Sequence, residues 1–181
     1  MTLPKELVGA WRRSGLLLDG VRVVDYCDVI WLQTPEWFVD IRVLIDPEII
    51  VPTKGVPDFF YREFAFAGTT TWDAPKITWL HLIDSNLEPA TDSNPIVWAD
   101  GVVLENGSAP VDDRMAPFTE EWLRMTGDDV ACHAETADRR ARIEVGRFAV
   151  EIEDNRPDGA FRAVRYTRDG GSWTEFARVT A

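Results

Sequence analysis

Residues 61–72, YREFAFAGTTTW, carry the pattern that decides the fold. Their side chains alternate between two faces with the period of two that a pleated β-strand requires, and they show almost no helical periodicity. Phe64, Phe66 and Gly68 fall on one face of this predicted strand. Gly68 removes a side chain near its end, which predicts a bend or the close approach of another group.

The same alternation recurs along the chain between regularly spaced turn signals. It is clearest in residues 37–43, WFVDIRV, and it returns in residues 77–83 and 118–125. Hairpin turns are indicated at Asp19-Gly20 and at residues 169–171, because glycine permits the positive φ that such turns need. The spacing gives about nine or ten short strands.

The pattern therefore predicts an all-β protein with a single domain over residues 1–181. We expect an antiparallel barrel of about 8–10 strands, with a short helical turn within residues 3–8 that covers one end. The composition of three segments predicts loops at residues 46–60, 86–95 and 107–116. Periodicity does not decide between helix and strand for residues 130–141, and a parity slip at Gly146 suggests a β-bulge.

Composition narrows the possible partners. The formal charge of −12 and the pI near 4.6 disfavour a nucleic-acid partner, because phosphate backbones are held mainly by clustered lysine and arginine. The sequence has no apolar run long enough for a membrane-spanning helix, and its first residues lack the apolar segment of a signal peptide. We therefore expect a cytoplasmic protein that makes no membrane contact.

No cofactor or metal is expected from the motifs. Cys27 and Cys132 are the two cysteines, and their spacing matches neither a zinc site nor a disulfide framework. Phosphate-binding glycine loops, serine elbows and dinucleotide fingerprints are also missing. The eight tryptophans and nine phenylalanines must instead fill a core or line a cavity.

Several patches resemble known families. Gly9-x-Trp11 after a short turn resembles the first strand of calycin barrels such as lipocalins and fatty-acid-binding proteins, and that likeness implies a C-terminal arginine packed over Trp11. Arg178 is our candidate, with Arg165 as the alternative. A closer resemblance, to the fungal Hri proteins, implies a calycin-like fold but no reaction. It is carried by residues 63–69, 98–107, 118–122 and 146–148.

Aromatic residues and isolated titratable groups share the predicted strand faces, which suggests a binding cavity. His81 follows Trp79 on the same face, and an imidazole titrates near neutral pH. Glu120 lies between Phe118 and Trp122, where burial among aromatic rings disfavours a charged carboxylate. The structural alternative is a core histidine and an internal ion pair of Glu120 with Arg62 or Arg124. The candidate ligand-binding residues are Trp31, Arg62, Phe64, Phe66, Trp79, His81, Trp98, Glu120 and Trp122.

Three functions remain open at this stage. The leading one is a barrel that binds a small apolar or aromatic molecule in a tryptophan-rich cavity. The second is a cofactor-free isomerase, cyclase or lyase in which His81 and Glu120 transfer protons. The third is a protein-interaction module with a filled barrel and an exposed apolar patch around residues 47–60. Whether the protein is an enzyme, and whether it forms a homodimer, also stays open.

Overall fold

The computed structural model describes residues 2–46, 48, 55–87, 90–99 and 101–181. Within these residues the chain forms fourteen strands and two short 3₁₀ turns. The turns are Lys5–Leu7 and Asp58–Phe60. The strands are β1 (Gly9–Leu18), β2 (Val21–Arg22), β3 (Cys27–Gln33), β4 (Trp37–Leu44), β5 (Phe64–Asp73), β6 (Lys76–Asp84), β7 (Thr91–Ala99), β8 (Val102–Val111), β9 (Arg114–Arg124), β10 (Cys132–Ala137), β11 (Arg140–Val145), β12 (Phe148–Asp154), β13 (Phe161–Asp169) and β14 (Ser172–Thr180).

Eight of these strands close into an antiparallel barrel. β1 pairs with β3 on one side and with β9 on the other, and β3 to β9 follow one another in chain order. The short β2 extends the end of β1 through the predicted hairpin, in which Asp19 and Gly20 both have positive φ. The predicted all-β, calycin-like barrel is therefore confirmed.

The last five strands form a separate antiparallel sheet that packs on the outside of the barrel. β10 to β14 pair in chain order and make no ladder with the barrel strands. Ile143, Val150 and Phe161 from this sheet share one buried cluster with Ile30 and Ile41 from the barrel. The predicted C-terminal meander exists, but it packs against the barrel wall and is not part of the barrel. We call β10 to β14 the covering sheet.

This second sheet leaves β4 buried on both faces. Val39 and Ile41 pack against the covering sheet, so the apolar face of the strand points out of the barrel. Phe38, Asp40 and Arg42 point into the barrel interior and are almost fully buried. The alternation in residues 37–43 is thus real, but its polar positions face the interior, where buried charges need partners.

The N-terminal turn closes one end of the barrel, as expected. Leu3 and Leu7 pack with Trp11 in the interior cluster, and the Trp11 Nε1–H donates a hydrogen bond of 2.9 Å to the Leu7 carbonyl. Arg124 lies over the Trp11 ring at 5.3 Å and donates hydrogen bonds to the carbonyls of Glu6 and Val8. It fixes the turn to the end of β9.

The predicted partners of Trp11 were therefore wrong. Arg178 is exposed and pairs with Glu175 on its own strand, and Arg165 pairs with Asp28 outside the barrel interior. The physical reason is that β13 and β14 belong to the covering sheet. The arginine that does lie over Trp11 is Arg124, at the end of the last barrel strand, β9.

Two predicted loops contain strands. β7 begins at Thr91, inside the predicted loop 86–95, and β8 and β9 meet in a tight turn inside the predicted loop 107–116. Glycine, serine and proline suggested irregular structure there, but an uninterrupted ladder from Val102↔Leu123 to Val111↔Arg114 outweighs their low strand propensity. Cross-strand pairing of this length is not visible in local composition.

The structure also resolves residues 130–141 and the parity slip at Gly146. Residues 130–141 contain β10 and the start of β11, so this region is strand. Gly146 has positive φ in the turn between β11 and β12, where Val145 pairs with Phe148, so the parity slip is a hairpin and not a bulge. Much of the predicted loop 46–60 lies outside the described residues, and so does Asp100, whose pairing with Gly101 in sequence indicates a hairpin turn between two strands.

A bulge opposite Gly68 arranges the inner face of β6. Gly68 pairs with His81 while Ala67 pairs with Ile83, which leaves Leu82 as the extra residue. A side chain at Gly68 would place its Cβ only 1.8 Å from the Leu80 carbonyl oxygen. Residues three apart on a regular strand point to opposite faces, so this bulge is what turns His81 and Asp84 to the same side.

We expect Gly68→Ala to destabilise the protein by about 2–3 kcal/mol, because its Cβ collides with backbone and not with a flexible side chain. Urea unfolding monitored by tryptophan fluorescence measures the change. Gly127→Ala is the matched control, since a Cβ there meets nothing within 4 Å. Equal unfolding midpoints for the two variants would contradict the role given to Gly68.

Candidate functional site

Two spaces lie in the barrel interior. The larger of these two, called the larger cavity below, lies at the end opposite the N-terminal turn and has a volume of about 330 Å³. Four phenylalanines line one part of it: Phe59, Phe64, Phe66 and Phe118. Polar residues line the rest: Arg42, Arg62, His81, Asp84, Asn86, Asp92, Asn94, Glu105, Ser108 and Glu120. The cavity is open to solvent, because its lining includes the exposed residues Arg62, Ala90 and Pro110.

Rings and cations form a continuous stack along one wall of the cavity. The Arg42 guanidinium lies 4.7 Å from the centroid of Phe64, whose ring stacks on Phe66 at 5.6 Å. Phe66 in turn stacks on the His81 imidazole, with centroids 4.0 Å apart and an interplanar angle of 11°. Cation–π attraction favours positive charge at both ends of this stack.

Glu120 is held by two buried arginines. Arg13 Nη1 donates to its Oε1 at 2.5 Å, and Arg42 Nη1 donates to the same oxygen at 3.3 Å. Arg13 also binds Asp25, with contacts of 2.6 and 2.7 Å, and Arg42 binds Asp40 at 2.9 Å. Burial disfavours the Arg42 cation, but Asp40 and Glu120 outweigh that effect and hold its pKa above the usual range.

His81 lies between two aspartates. Its Nδ1–H donates to Asp84 Oδ2 at 2.7 Å, and its Nε2 lies 3.2 Å from Asp92 Oδ2, without good hydrogen-bond alignment. Burial opposes the imidazolium, yet the two carboxylates prevail and raise the pKa of His81 to about 9. The ring is therefore protonated at neutral pH.

Glu105 has a different environment. It accepts hydrogen bonds from Asn94 Nδ2 at 2.8 Å and from Trp122 Nε1 at 3.1 Å, and both donors are neutral. Burial, followed by the negative charge of Glu120, raises the pKa of Glu105 to about 8. At neutral pH this carboxyl group is mostly protonated.

Four of the eight tryptophans, Trp11, Trp31, Trp79 and Trp122, fill the interior below this cavity. The ring centroid of Trp31 lies 5.7 Å from Trp11, 5.5 Å from Trp79 and 5.6 Å from Trp122. The gap left beside them is only about 20 Å³, close to the size of one water molecule. Trp79 Nε1 is buried and has no hydrogen-bond partner in the described part of the chain. Most of the tryptophan surface is thus used for packing.

The residues predicted for the site divide into three groups. Arg62, Phe64, Phe66, His81 and Glu120 line the larger cavity, whereas Trp31, Trp79 and Trp122 border the small gap. Trp98 is half exposed, borders neither space, and packs on Trp11 with ring centroids 6.3 Å apart. Glu120 does form an internal ion pair, but with Arg13 and Arg42 instead of Arg62 or Arg124.

Sequence reasoning missed several residues that line the site. Arg42 occupies a polar position of β4 that gave no sign of facing the interior, and Asp84 reaches the site only through the bulge in β6. Asp92 lies in a segment predicted as a loop. Glu105 entered the sequence analysis only as part of a family resemblance. Its position two residues after Val103 puts it on the same face of β8 as that apolar residue, which is the signal that could have found it.

The described residues contain neither a metal-binding cluster nor a membrane-spanning helix. No group of three or more histidine, cysteine or acidic side chains there is arranged to hold a metal ion. None of the helices in that part of the chain is long and apolar enough to cross a membrane. Cys27 and Cys132 are free thiols, and burial raises the pKa of Cys27 to about 11.

No curated protein and no solved structure matches the chain. The family described as Protein HRI1 matches residues 13–180, which include both the barrel and the covering sheet. The match begins at residue 13, after Gly9-x-Trp11, and includes all four patches that carry the resemblance to the fungal Hri proteins. The chain therefore belongs to the HRI1 family.

Proposed function

We propose that this protein binds a small molecule with a planar or aromatic part in the cavity at the open end of the barrel. The observation that carries the proposal is the cavity itself, at about 330 Å³. This volume is at the lower end of the range of ligand sites, roughly 300–1,000 Å³, and such sites combine apolar walls with a few fixed polar groups.

The lining supports a ligand that is partly apolar and partly polar. Phe59, Phe66 and Phe118 offer ring faces and edges, while His81 and Glu105 present polar groups held by buried neighbours. Groups fixed in this way lose little conformational entropy when a ligand binds. The ligand would therefore contact the phenylalanines of the cavity. The fluorescence of Trp79 and Trp122, which lie beneath the cavity, would change when it binds.

A proton-transfer enzyme is the second candidate. It is supported by the fact that His81 and Glu120 line the same cavity. In such an enzyme the His81 imidazolium would serve as the acid, because Asp84 and Asp92 favour its charged form. Glu120 is already bound by two arginines, which makes it a weaker partner for a substrate proton. We therefore place binding ahead of isomerase, cyclase or lyase activity.

The interaction module is the weakest of the three. It requires a filled barrel, and the cavity next to Phe66 and Phe118 argues against that. Its apolar patch was expected around residues 47–60, and half of these, residues 47 and 49–54, lie outside the described residues.

Titration with a panel of apolar and aromatic compounds should quench or shift the tryptophan emission, since Trp79 and Trp122 border the gap below the cavity. We expect Ala109→Leu, which adds volume to the cavity lining, to weaken binding at least about fivefold. Ala116→Leu is the control, because Ala116 is equally buried opposite Ala109 but does not line the cavity. A panel without any response would refute the proposed function.

The charge state of His81 predicts a pH dependence of stability. Its pKa is raised from about 6.5 to about 9 on folding, so its stabilising contribution is fully present below about pH 6.5 and is lost as the pH rises through 9. A pKa shift of this size corresponds to roughly 3 kcal/mol in the free energy of unfolding.

Urea unfolding between pH 6 and 10 tests this. The stability difference between the wild type and His81→Gln should shrink across that range, whereas His133→Gln, which changes the exposed second histidine, should behave like the wild type. A difference between wild type and His81→Gln that stays constant with pH would show that His81 is not held as an imidazolium.

A further inference from the structure

Among the described residues, the buried charged groups that line the larger cavity are paired, with one exception. Glu120 binds Arg13 and Arg42, and Asp84 lies 2.7 Å from the protonated His81. This pairing is expected, because an ionised group taken out of water is stable only with an opposite charge or several hydrogen bonds.

Glu105 is the exception. Within the described residues no arginine, lysine or histidine lies within 4 Å of its carboxyl group, although only 7% of the residue is exposed. Its two hydrogen-bond donors, Asn94 and Trp122, are both neutral. They orient the carboxyl group in the wall of the cavity without balancing its charge. Arg42 favours the charged form of Glu105 from beyond hydrogen-bonding distance, but burial and the charge of Glu120 outweigh it and keep the pKa of Glu105 raised.

The two buried cations of the lining, Arg42 and His81, do not offer an equivalent site to an anion. Arg42 already has Asp40 and Glu120, and His81 already has Asp84. A ligand carboxylate would have to displace one of these carboxylates, whereas a ligand cation at Glu105 would displace only a proton.

We propose that the ligand is a small organic amine whose cationic nitrogen donates hydrogen bonds to Glu105, while its ring or hydrocarbon part packs against the phenylalanines. This inference rests on the proposed function and specifies the chemistry of the same cavity. Asp92, whose side chain is half exposed at the rim, adds a second negative charge near the nitrogen. Phe66 and Phe118 offer aromatic surfaces that also attract a cation.

Binding of this kind is coupled to a proton. The cavity receives one positive charge, and Glu105 releases its proton to solvent and pairs with the ammonium as a carboxylate. Because the pKa of Glu105 is about 8 in the free protein, amine affinity should rise about tenfold per unit between pH 6 and 7 and level off above pH 8.

Three probes of similar size and different charge test the inference: benzylamine, benzyl alcohol and benzoate. Their binding is followed by NMR through the indole Nε1–H of Trp122, which contacts Glu105 directly. At pH 8 we expect benzylamine to bind at least about tenfold more tightly than the other two. Glu105→Gln, which keeps the size and an acceptor oxygen, should remove that preference, so that benzylamine binds this variant no more tightly than benzyl alcohol does.

The outcomes separate the two proposals. If benzyl alcohol or benzoate binds as tightly as benzylamine, or if Glu105→Gln keeps the preference, the amine inference is wrong and the binding function stands. The same holds if only neutral compounds of the broader panel bind. If no compound binds at all, both proposals fall. The pH dependence is measured on the wild type, so the test does not depend on the folding of the variant.

Discussion

The structure depends on the need to neutralise charges that the barrel encloses. Arg13, Arg42, Asp40 and Glu120 all point into the interior and are almost fully buried. Ions removed from water are tolerated only when opposite charges and hydrogen bonds replace the solvent. The two arginines share Glu120, and each has a further aspartate of its own. This network lies between the packed tryptophans and the open cavity, and it sets the charge that a ligand would meet.

The covering sheet explains why so polar an interior is compatible with a stable fold. Val39, Ile41 and their neighbours on the outer wall lose contact with water against β11, β12 and β14, which gives the barrel a second hydrophobic core. The inner face of the same strands can then carry Asp40 and Arg42. The HRI1 family match spans both the barrel and the covering sheet.

Alternation of side chains was enough to predict the barrel. Phe66, Trp79 and Trp122 were expected to converge on a shared interior, and they do lie in one buried cluster. Gly68 was expected to allow a close approach, and the Leu80 carbonyl makes it. These features depend on local periodicity and on the missing glycine side chain, both of which can be read directly from the sequence.

The location of the site could not be predicted in the same way. Alternation gives two faces for each strand but not which of them is enclosed, so the polar face of β4 was not recognised as interior. A one-residue bulge reverses the parity of β6 and brings Asp84 beside His81. The long ladder between β8 and β9 places Glu105 opposite Glu120, and it continues through residues 107–116, for which local composition predicted a loop. Pairing partners distant in sequence decide each of these features.

The central claim is that Glu105 is buried beside the cavity without a cationic partner. Its most direct test is a titration of the side-chain carboxyl carbons of glutamate by ¹³C NMR in the free protein. The structure predicts one glutamate carboxyl with a midpoint near pH 8, absent from Glu105→Gln. A Glu105 carboxyl that titrates at the ordinary value, about 4.3, would contradict the claim, because it would mean that solvent or a cation already stabilises its charge.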